Sequence, residues 1–474
     1  MRLVKLTTLR KLNQYKVSRV FTALLFTGIC AAAYAQDNSP YSRYGLGDKF
    51  PTTNAANRAM GGITAAYNDY YNINFNNPAS YSFFQATQEL NSHKLANGRG
   101  VLNIGVDGQM RTLVDRAVQK RFPSSDIVFS HLMLGMPLRK NWGMALGLRP
   151  MYRINYKMEK TGQITDHRTN LPIDSGNILS EGQGGVYLAT MGTGVKFKVG
   201  KAGFLGLGVN GGYLFGKKDY STRLSLISDD VIYAAGNKQT KTGIGGLYFD
   251  AGAQYQFKLN DKLYMGVGAY GNMKQNIKTS SDNINETFVY EANNGYIRKD
   301  SVSETKDVKG SFDYPMSFTG GFILQKPQIN PTAESGWLVG LDFTHNGWNT
   351  YRNNGVVDPD VRSNWMAKIG TELNPIRKRN YFSLVSYRAG FFTGPDYIYL
   401  QNKAIPTYGI SFGMGLPLIN YNGAMARYQL SVLNLGFEYV KRGNNQNIIK
   451  ENLFRISAGF SLSDLWFIKR RYID

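Results

Sequence analysis

The chain has 474 residues, 55 of them basic and 33 acidic, for a net charge of +22, and a single cysteine. One cysteine excludes a disulfide framework and thiolate metal clusters. No stretch beyond residue 35 reaches 18 consecutive apolar residues, which excludes a membrane-spanning helix. The basic excess is expected to meet lipid head groups or water rather than nucleic acid, because the chain reads as exported and strand-rich.

The first segment is a leader. Residues 1–19 carry Arg2, Lys5, Arg10, Lys11, Lys16 and Arg19 without an acid, residues 20–33 form a short apolar core, and Ala33-Tyr34-Ala35 is a small-x-small cleavage site. The core is shorter than the ~20 residues a membrane anchor needs. Residues 1–35 therefore read as a secretory signal peptide. Its removal takes Cys30 with it and leaves a chain of charge +16. Stability must then come from hydrogen bonding and packing alone.

Residues 36–97 show no steady period. They are rich in Asn, Tyr, Gly and Ala, and Tyr41, Tyr44, Tyr67, Tyr70 and Tyr71 fall at irregular intervals. Within them Asn77-Pro78-Ala79 is a rigid corner, since proline fixes its own φ and biases the preceding residue away from helix. A segment of about 60 residues ahead of the first strand is long for a tail, and it suits a plug for a barrel too wide for side chains alone to fill.

From residue 98 to 463 the alternation has period two. In 203–218, Leu205, Leu207, Val209, Tyr213 and Phe215 share one face, while Gly206, Gly208, Asn210 and Gly212 share the other. The strands read as 100–114, 126–138, 142–158, 185–198, 203–218, 243–258, 262–278, 311–325, 336–350, 362–373, 380–394, 404–417, 424–440 and 451–463. Six short links, such as Arg139-Lys140-Asn141 and Asn420-Tyr421-Asn422-Gly423, alternate with seven longer polar ones: 115–125, 159–184, 219–242, 279–310, 351–361, 395–403 and 441–450. Short turns at one rim and long loops at the other mark an all-β transmembrane antiparallel barrel of an outer membrane. Fourteen strands place both barrel ends on the short-turn, periplasmic side. Many strands exceed the ~9–11 residues that cross a bilayer and are long for a soluble sandwich. Trp142, Tyr152, Tyr213, Trp337, Phe343, Trp365 and Phe391 suit interfacial girdles.

Residues 57–80 carry a family resemblance. Arg58-Ala59-Met60-Gly61-Gly62-Ile63-Thr64-Ala65-Ala66, then Asp69 and Asn76-Asn77-Pro78-Ala79-Ser80, resemble the N-terminal hatch of FadL-type outer-membrane proteins. The resemblance implies a fourteen-stranded barrel plugged by a hatch with Gly61, Gly62, Asn77, Pro78 and Ala79 as its motif residues. It also implies import of long-chain fatty acids or other hydrophobic compounds. Ser39-Pro40-Tyr41-Ser42-Arg43-Tyr44-Gly45-Leu46-Gly47-Asp48 is not part of that pattern and points to a divergent branch. Some barrels of the family are accessory parts of secretion machinery instead.

Two features of the strands bear on function. Pro150 interrupts the third strand, where Met144, Leu146 and Leu148 form the apolar face, and a proline removes a ladder hydrogen bond. It marks either a lateral gap through which an apolar ligand leaves or a bulge near one rim; the resemblance implies a kinked third strand with a lateral opening. Facing away from the apolar side, Arg149, Arg153, Arg388 and Arg455 join Asp342, Lys368, Glu372 and Glu438 as a charged lumen lining. The four arginines either hold a ligand carboxylate or form ion pairs that pack against the hatch. In 424–440 the apolar phase slips between Val432 and Leu433, which reads as a β-bulge.

Chemistry-bearing motifs are absent. His93, His131, His167 and His345 are scattered, and neither a nucleophile elbow nor a phosphate-cradling loop occurs, so no enzyme, metal or cofactor is expected. Residues 464–474 read as a basic periplasmic tail. The expected function is passive uptake of hydrophobic small molecules across a Gram-negative outer membrane. The alternatives are an accessory barrel of a secretion system and a purely structural barrel. Expected partners are outer-membrane lipids, lipopolysaccharide and a hydrophobic ligand or, on the alternative, secretion-system proteins.

Overall fold

The computed structural model describes residues 38–466 apart from 90–93, 116–119, 166–167, 201–202, 228–233, 292–294 and 419–428. The signal peptide, the tail beyond Trp466 and the Asn420–Gly423 turn lie outside the described residues.

Fourteen antiparallel strands form one closed barrel. They are β1 (Leu95–Asp115), β2 (Lys120–Arg139), β3 (Trp142–Thr165), β4 (Pro172–Val199), β5 (Gly203–Ile227) and β6 (Ala235–Lys258). Next come β7, in two pieces (Tyr264–Asn272 and Gln275–Glu291), and β8, also in two (Gly295–Tyr314 and Ser317–Lys326). The rest are β9 (Gly336–Asn346), β10 (Asn364–Asn374), β11 (Ser386–Leu400), β12 (Lys403–Pro417), β13 (Gln429–Arg442) and β14 (Ile449–Trp466). Pairing of β14 with β1, from Ile449 opposite Asp115 to Trp466 opposite Gly98, closes the cylinder. Closure satisfies the edge groups that hydrocarbon could not. Outward side chains such as Leu207, Val209, Phe249 and Phe412 are exposed, and inward partners such as Asn210 and Ser411 are buried, which is the alternation expected of the wall.

Most of the long links are strand, not loop. β3 to β6 run 24 to 28 residues, and the 279–310 link is itself a hairpin, with Glu291 opposite Gly295. The far halves of β3, β4, β5, β6, β7 and β8 remain paired in sequence, so a six-stranded sheet stands beyond the far rim. Both of its faces meet water, so its Ser, Thr, Asn and Lys residues carry no apolar alternation even though the ladder continues. The expected bulge near Val432 is also corrected: β13 stays in register with both neighbours, and Val432 points inward as a buried apolar residue.

Bulges occur elsewhere. One lies at Met151, between Pro150 and Tyr152 of β3. β7 breaks at Met273-Lys274 and β8 at Pro315-Met316, and the Gln275 side chain replaces the missing ladder by bonding the Phe249 N–H (2.7 Å) and carbonyl (2.9 Å).

Residues 38–85 fill the interior. The inward glycines of the wall form the shelf on which they rest. A Cβ on Gly208 would run into Pro78 and Ala79, one on Gly268 into Ala65, one on Gly370 into Met60, and one on Gly390 into Gly61. Gly390→Ala is therefore expected to lower stability by ~1–3 kcal/mol. Gly108→Ala, where a Cβ meets nothing closer than 3.9 Å, should leave it unchanged. Thermal unfolding of the detergent-solubilised barrel, followed by heat-modifiable gel migration, compares the two.

Candidate functional site: a plugged lumen and a seam in its wall

The plug is built from short pieces tied by side-chain amides. Asn54 caps α1 (Ala55–Arg58) by accepting the Asn57 N–H. Gly61 and Gly62 follow with φ of 67° and 80°, a backbone that only glycine adopts without strain, and Gly61 sits against the Ile369 and Phe391 carbonyls. The Asn77-Pro78-Ala79 corner starts a 3-10 turn, Pro78–Phe83. There Asn77 Oδ1 accepts the Ala79 N–H (3.1 Å), while its side-chain amide Nδ2 donates to Ala65 O (2.6 Å) and Ala253 O (3.2 Å). The motif thus fastens the plug to itself and to β6.

Charge locks it in place. Arg58 pairs with Asp107 of β1 at 2.5 Å, both nearly fully buried, and donates to Thr53 O (2.7 Å), Pro51 O and Ser457 Oγ (each 3.0 Å). Asp342 of β9 accepts the N–H groups of Thr64 (2.6 Å) and Ala65 (2.9 Å). Nearer the far rim, Asp48 lies between Arg442 (2.8 Å) and Arg111 (3.3 Å). Arg442 also holds Asp396 (2.6 Å) and Glu451 (3.4 Å), and Arg111 pairs with Glu451. Burial would raise the Asp48 carboxyl, but the two guanidinium groups outweigh it and hold it below the usual carboxylate range. An aromatic cluster seals the space above: Trp348 stacks on Tyr397 at 3.9 Å, and Tyr152, Tyr314 and Tyr351 pack around it.

The four predicted arginines go to different places. Arg149 donates to Asn76 Oδ1 (2.6 Å) and Thr52 O (3.2 Å) and lies over the Phe75 ring, so it holds the plug. Arg388 pairs with Glu372 (2.7 Å) and bonds Asn434 Oδ1 (2.8 Å); Arg455 pairs with Glu438 (2.7 Å). Arg153 lines the cavity between plug and wall but is committed to an acid. The Met151 bulge shifts the alternation by one, turns Tyr152 and Ile154 inward, and sends Arg153 to an ion pair with Asp126 of β2.

That pair crosses a seam. β2 and β3 are laddered only from Arg139/Trp142 to Leu132/Leu148, two residues before Pro150. Beyond it β2 keeps its bonds to β1 but, among the described residues, makes no backbone pair with β3. The freed edge of β3 is covered instead by the segment from Asn38 to Phe50. Asp48 and Lys49 pair with Arg153 and Tyr152, Ser39 N–H donates to Asn155 O (2.8 Å), and Phe50 N–H donates to Met151 O (2.9 Å). The Asn38 amide donates to Lys157 O (3.0 Å) and its oxygen accepts the Lys157 N–H (3.1 Å). The closing role of this segment was not legible in the sequence, although Ser39–Asp48 stood out there as foreign to the hatch pattern.

A family model described as BamG matches residues 17–473; its name is not that of the family resembled by residues 57–80. No curated protein matches the chain. Similar solved structures include a "CymD monoaromatic hydrocarbon channel", 13% identical over 87% of this chain and 97% of that one, with a TM-score of 0.48. A FadL homologue of Pseudomonas aeruginosa is 11% identical over 89% and 99%, with a TM-score of 0.47. The toluene transporter TodX of P. putida is 15% identical over 88% and 99%, with a TM-score of 0.46. These are likenesses of architecture.

Breaking one partner of a buried pair leaves the other charge uncompensated, at about 3–5 kcal/mol. Arg58→Met should therefore destabilise the plugged barrel by that order. Arg58→Met with Asp107→Leu should recover much of the loss. Urea midpoints of the refolded variants read both.

Proposed function

The chain belongs to the BamG family, and we propose that it is an outer-membrane barrel that admits a hydrophobic small molecule, such as a long-chain fatty acid, through the seam between β2 and β3. One observation carries this: the wall parts at Leu132/Leu148, and a segment of the plug rather than a strand ladder closes it. Within hydrocarbon an uncovered sheet edge is unfavourable, so a gap in the wall needs a removable cover. The segment 38–50 is such a cover, held by backbone bonds worth about 1 kcal/mol net each and by the Asp48 ion pairs. The lower plug, fixed by Arg58–Asp107, Asp342 and the Asn77 amide, stays in place. Outward Phe122, Ile127, Phe129 and Leu132 border the seam and match an apolar passenger.

A second function has its own support. The plug occupies much of the lumen, and the six-stranded sheet beyond the far rim presents a broad polar surface. Both suit a barrel that holds a protein partner of a secretion system. Native purification from the outer membrane followed by mass spectrometry separates the two, since one predicts co-purified lipid and the other a stoichiometric protein.

For the first function, cysteines at Ser39 and Asn155 should lock the cover. In cells carrying Ser39→Cys with Asn155→Cys, uptake of a labelled long-chain fatty acid is expected to fall to that of cells lacking the protein and to return on reduction. Pro150→Val should also slow it. Uptake indifferent to both changes would sink the seam as a passage.

A further inference from the structure

The two rims of the barrel differ in charge. The seven long links, from 115–125 to 441–450, hold seventeen bases and seventeen acids, whereas the six short ones hold seven bases and two acids. Three of those seven bases are consecutive. They are Arg377-Lys378-Arg379 in the link between β10 and β11, with Ile376 before them and Tyr381-Phe382 just after.

This link is tied to the outer side of the wall. Asn380 caps its 3-10 turn, Tyr381–Leu384, by accepting the Phe382 N–H at 3.2 Å. Tyr387, which alternates with the inward Arg388 and so faces outward on β11, donates to Phe382 O at 3.0 Å. Tyr381 donates to Pro417 O at the end of β12 (3.1 Å), and the Arg377 N–H donates to Pro331 O in the link between β8 and β9 (2.7 Å). Ile376, Tyr381 and Phe382 are nevertheless exposed, as are the outward Leu373 of β10 and Leu418 beyond β12. Apolar and aromatic side chains held in a fixed turn beside cations, at the edge of a lipid-facing wall, match the boundary between hydrocarbon and head groups.

No acid answers these bases. Lys378 and Arg379 are exposed, and among the described residues their side chains have neither an ion pair nor a hydrogen bond. The flanking links, 326–335 and 418–428, supply one acid, Glu334, and it holds Lys326 at 3.3 Å. Glu372, at the foot of β10, holds Arg388 at 2.7 Å.

We propose that residues 376–382 bind an anionic phospholipid of the periplasmic leaflet. Lys378 and Arg379 meet its phosphodiester, for which a guanidinium fork and an ammonium are both suited. An acyl chain of the same lipid lies along Leu373 and Phe382. Two cations at the head-group level favour a lipid of net negative charge over a zwitterionic one. The site stands apart from the passage of a hydrophobic molecule, because it lies between β10 and β11 and needs no opening of β2 from β3.

The full-length protein, purified from the outer membrane, is reconstituted in nanodiscs of phosphatidylethanolamine with a minor share of phosphatidylglycerol. Native mass spectrometry then counts the lipids it retains. The wild type is expected to keep phosphatidylglycerol in preference to phosphatidylethanolamine. Lys378→Gln with Arg379→Gln should lower that preference about tenfold or more, and Lys378→Arg with Arg379→Lys should preserve it. Phe382→Ser should weaken retention of both lipids. Heat-modifiable migration shows that each variant is folded, and Arg379→Gln alone serves if the double variant is not. A wild type without the preference, or a folded Gln variant that keeps it, overturns the site. So does a Gln variant that loses a stoichiometric acidic protein in place of the lipid, since the bases then serve a protein partner.

Discussion

A cylinder of fourteen strands encloses more space than its own side chains can fill, and the rest of this molecule follows from how that space is occupied. The filling is main chain as much as side chain. The plug backbone approaches the wall so closely at Gly208, Gly268, Gly370 and Gly390 that no Cβ fits between them. The glycine stripes of the strands are thus the imprint of the plug. They are also why the plug carries Asn54, Asn57, Asn74 and Asn77: each buried main-chain group needs a partner, and a short amide supplies one.

Charge inside the barrel obeys the same requirement. Arginines whose position suggested ligand binding are bonded to acids of the wall or to plug carbonyls and amides. Buried ion pairs contribute little net stability, yet breaking one is costly. Arg58–Asp107 and the Asp48 cluster therefore act chiefly to fix where the plug sits. The lower plug is held by wall strands on several sides of the barrel, while the cover segment 38–50 leans on one strand edge and one ion cluster. That asymmetry divides the interior into a part held on many sides and a part held along one edge.

The seam shows how one residue changes a wall. Pro150 offers no N–H, and beside it the Met151 bulge turns Tyr152 inward to the aromatic cluster and Arg153 toward β2. The strand that would have laddered to β2 pairs with the chain's own N-terminal segment.

Period-two alternation, turn residues and length by themselves determined the fourteen strands, their order and the plug, because within a bilayer each wall residue faces either hydrocarbon or the lumen. That signal fades where both faces are wet, so the extended hairpins beyond the rim read as loops. A buried apolar residue, Val432, likewise passed for a bulge because alternation reports the side a residue favours and not the register of the ladder. Only the tertiary structure decided which acid meets which arginine, where the plug segments lie and what covers the edge of β3. Those contacts join residues hundreds of positions apart, such as Asp48 with Arg442 and Arg58 with Ser457, and no local pattern encodes a distance that exists only once the cylinder has closed.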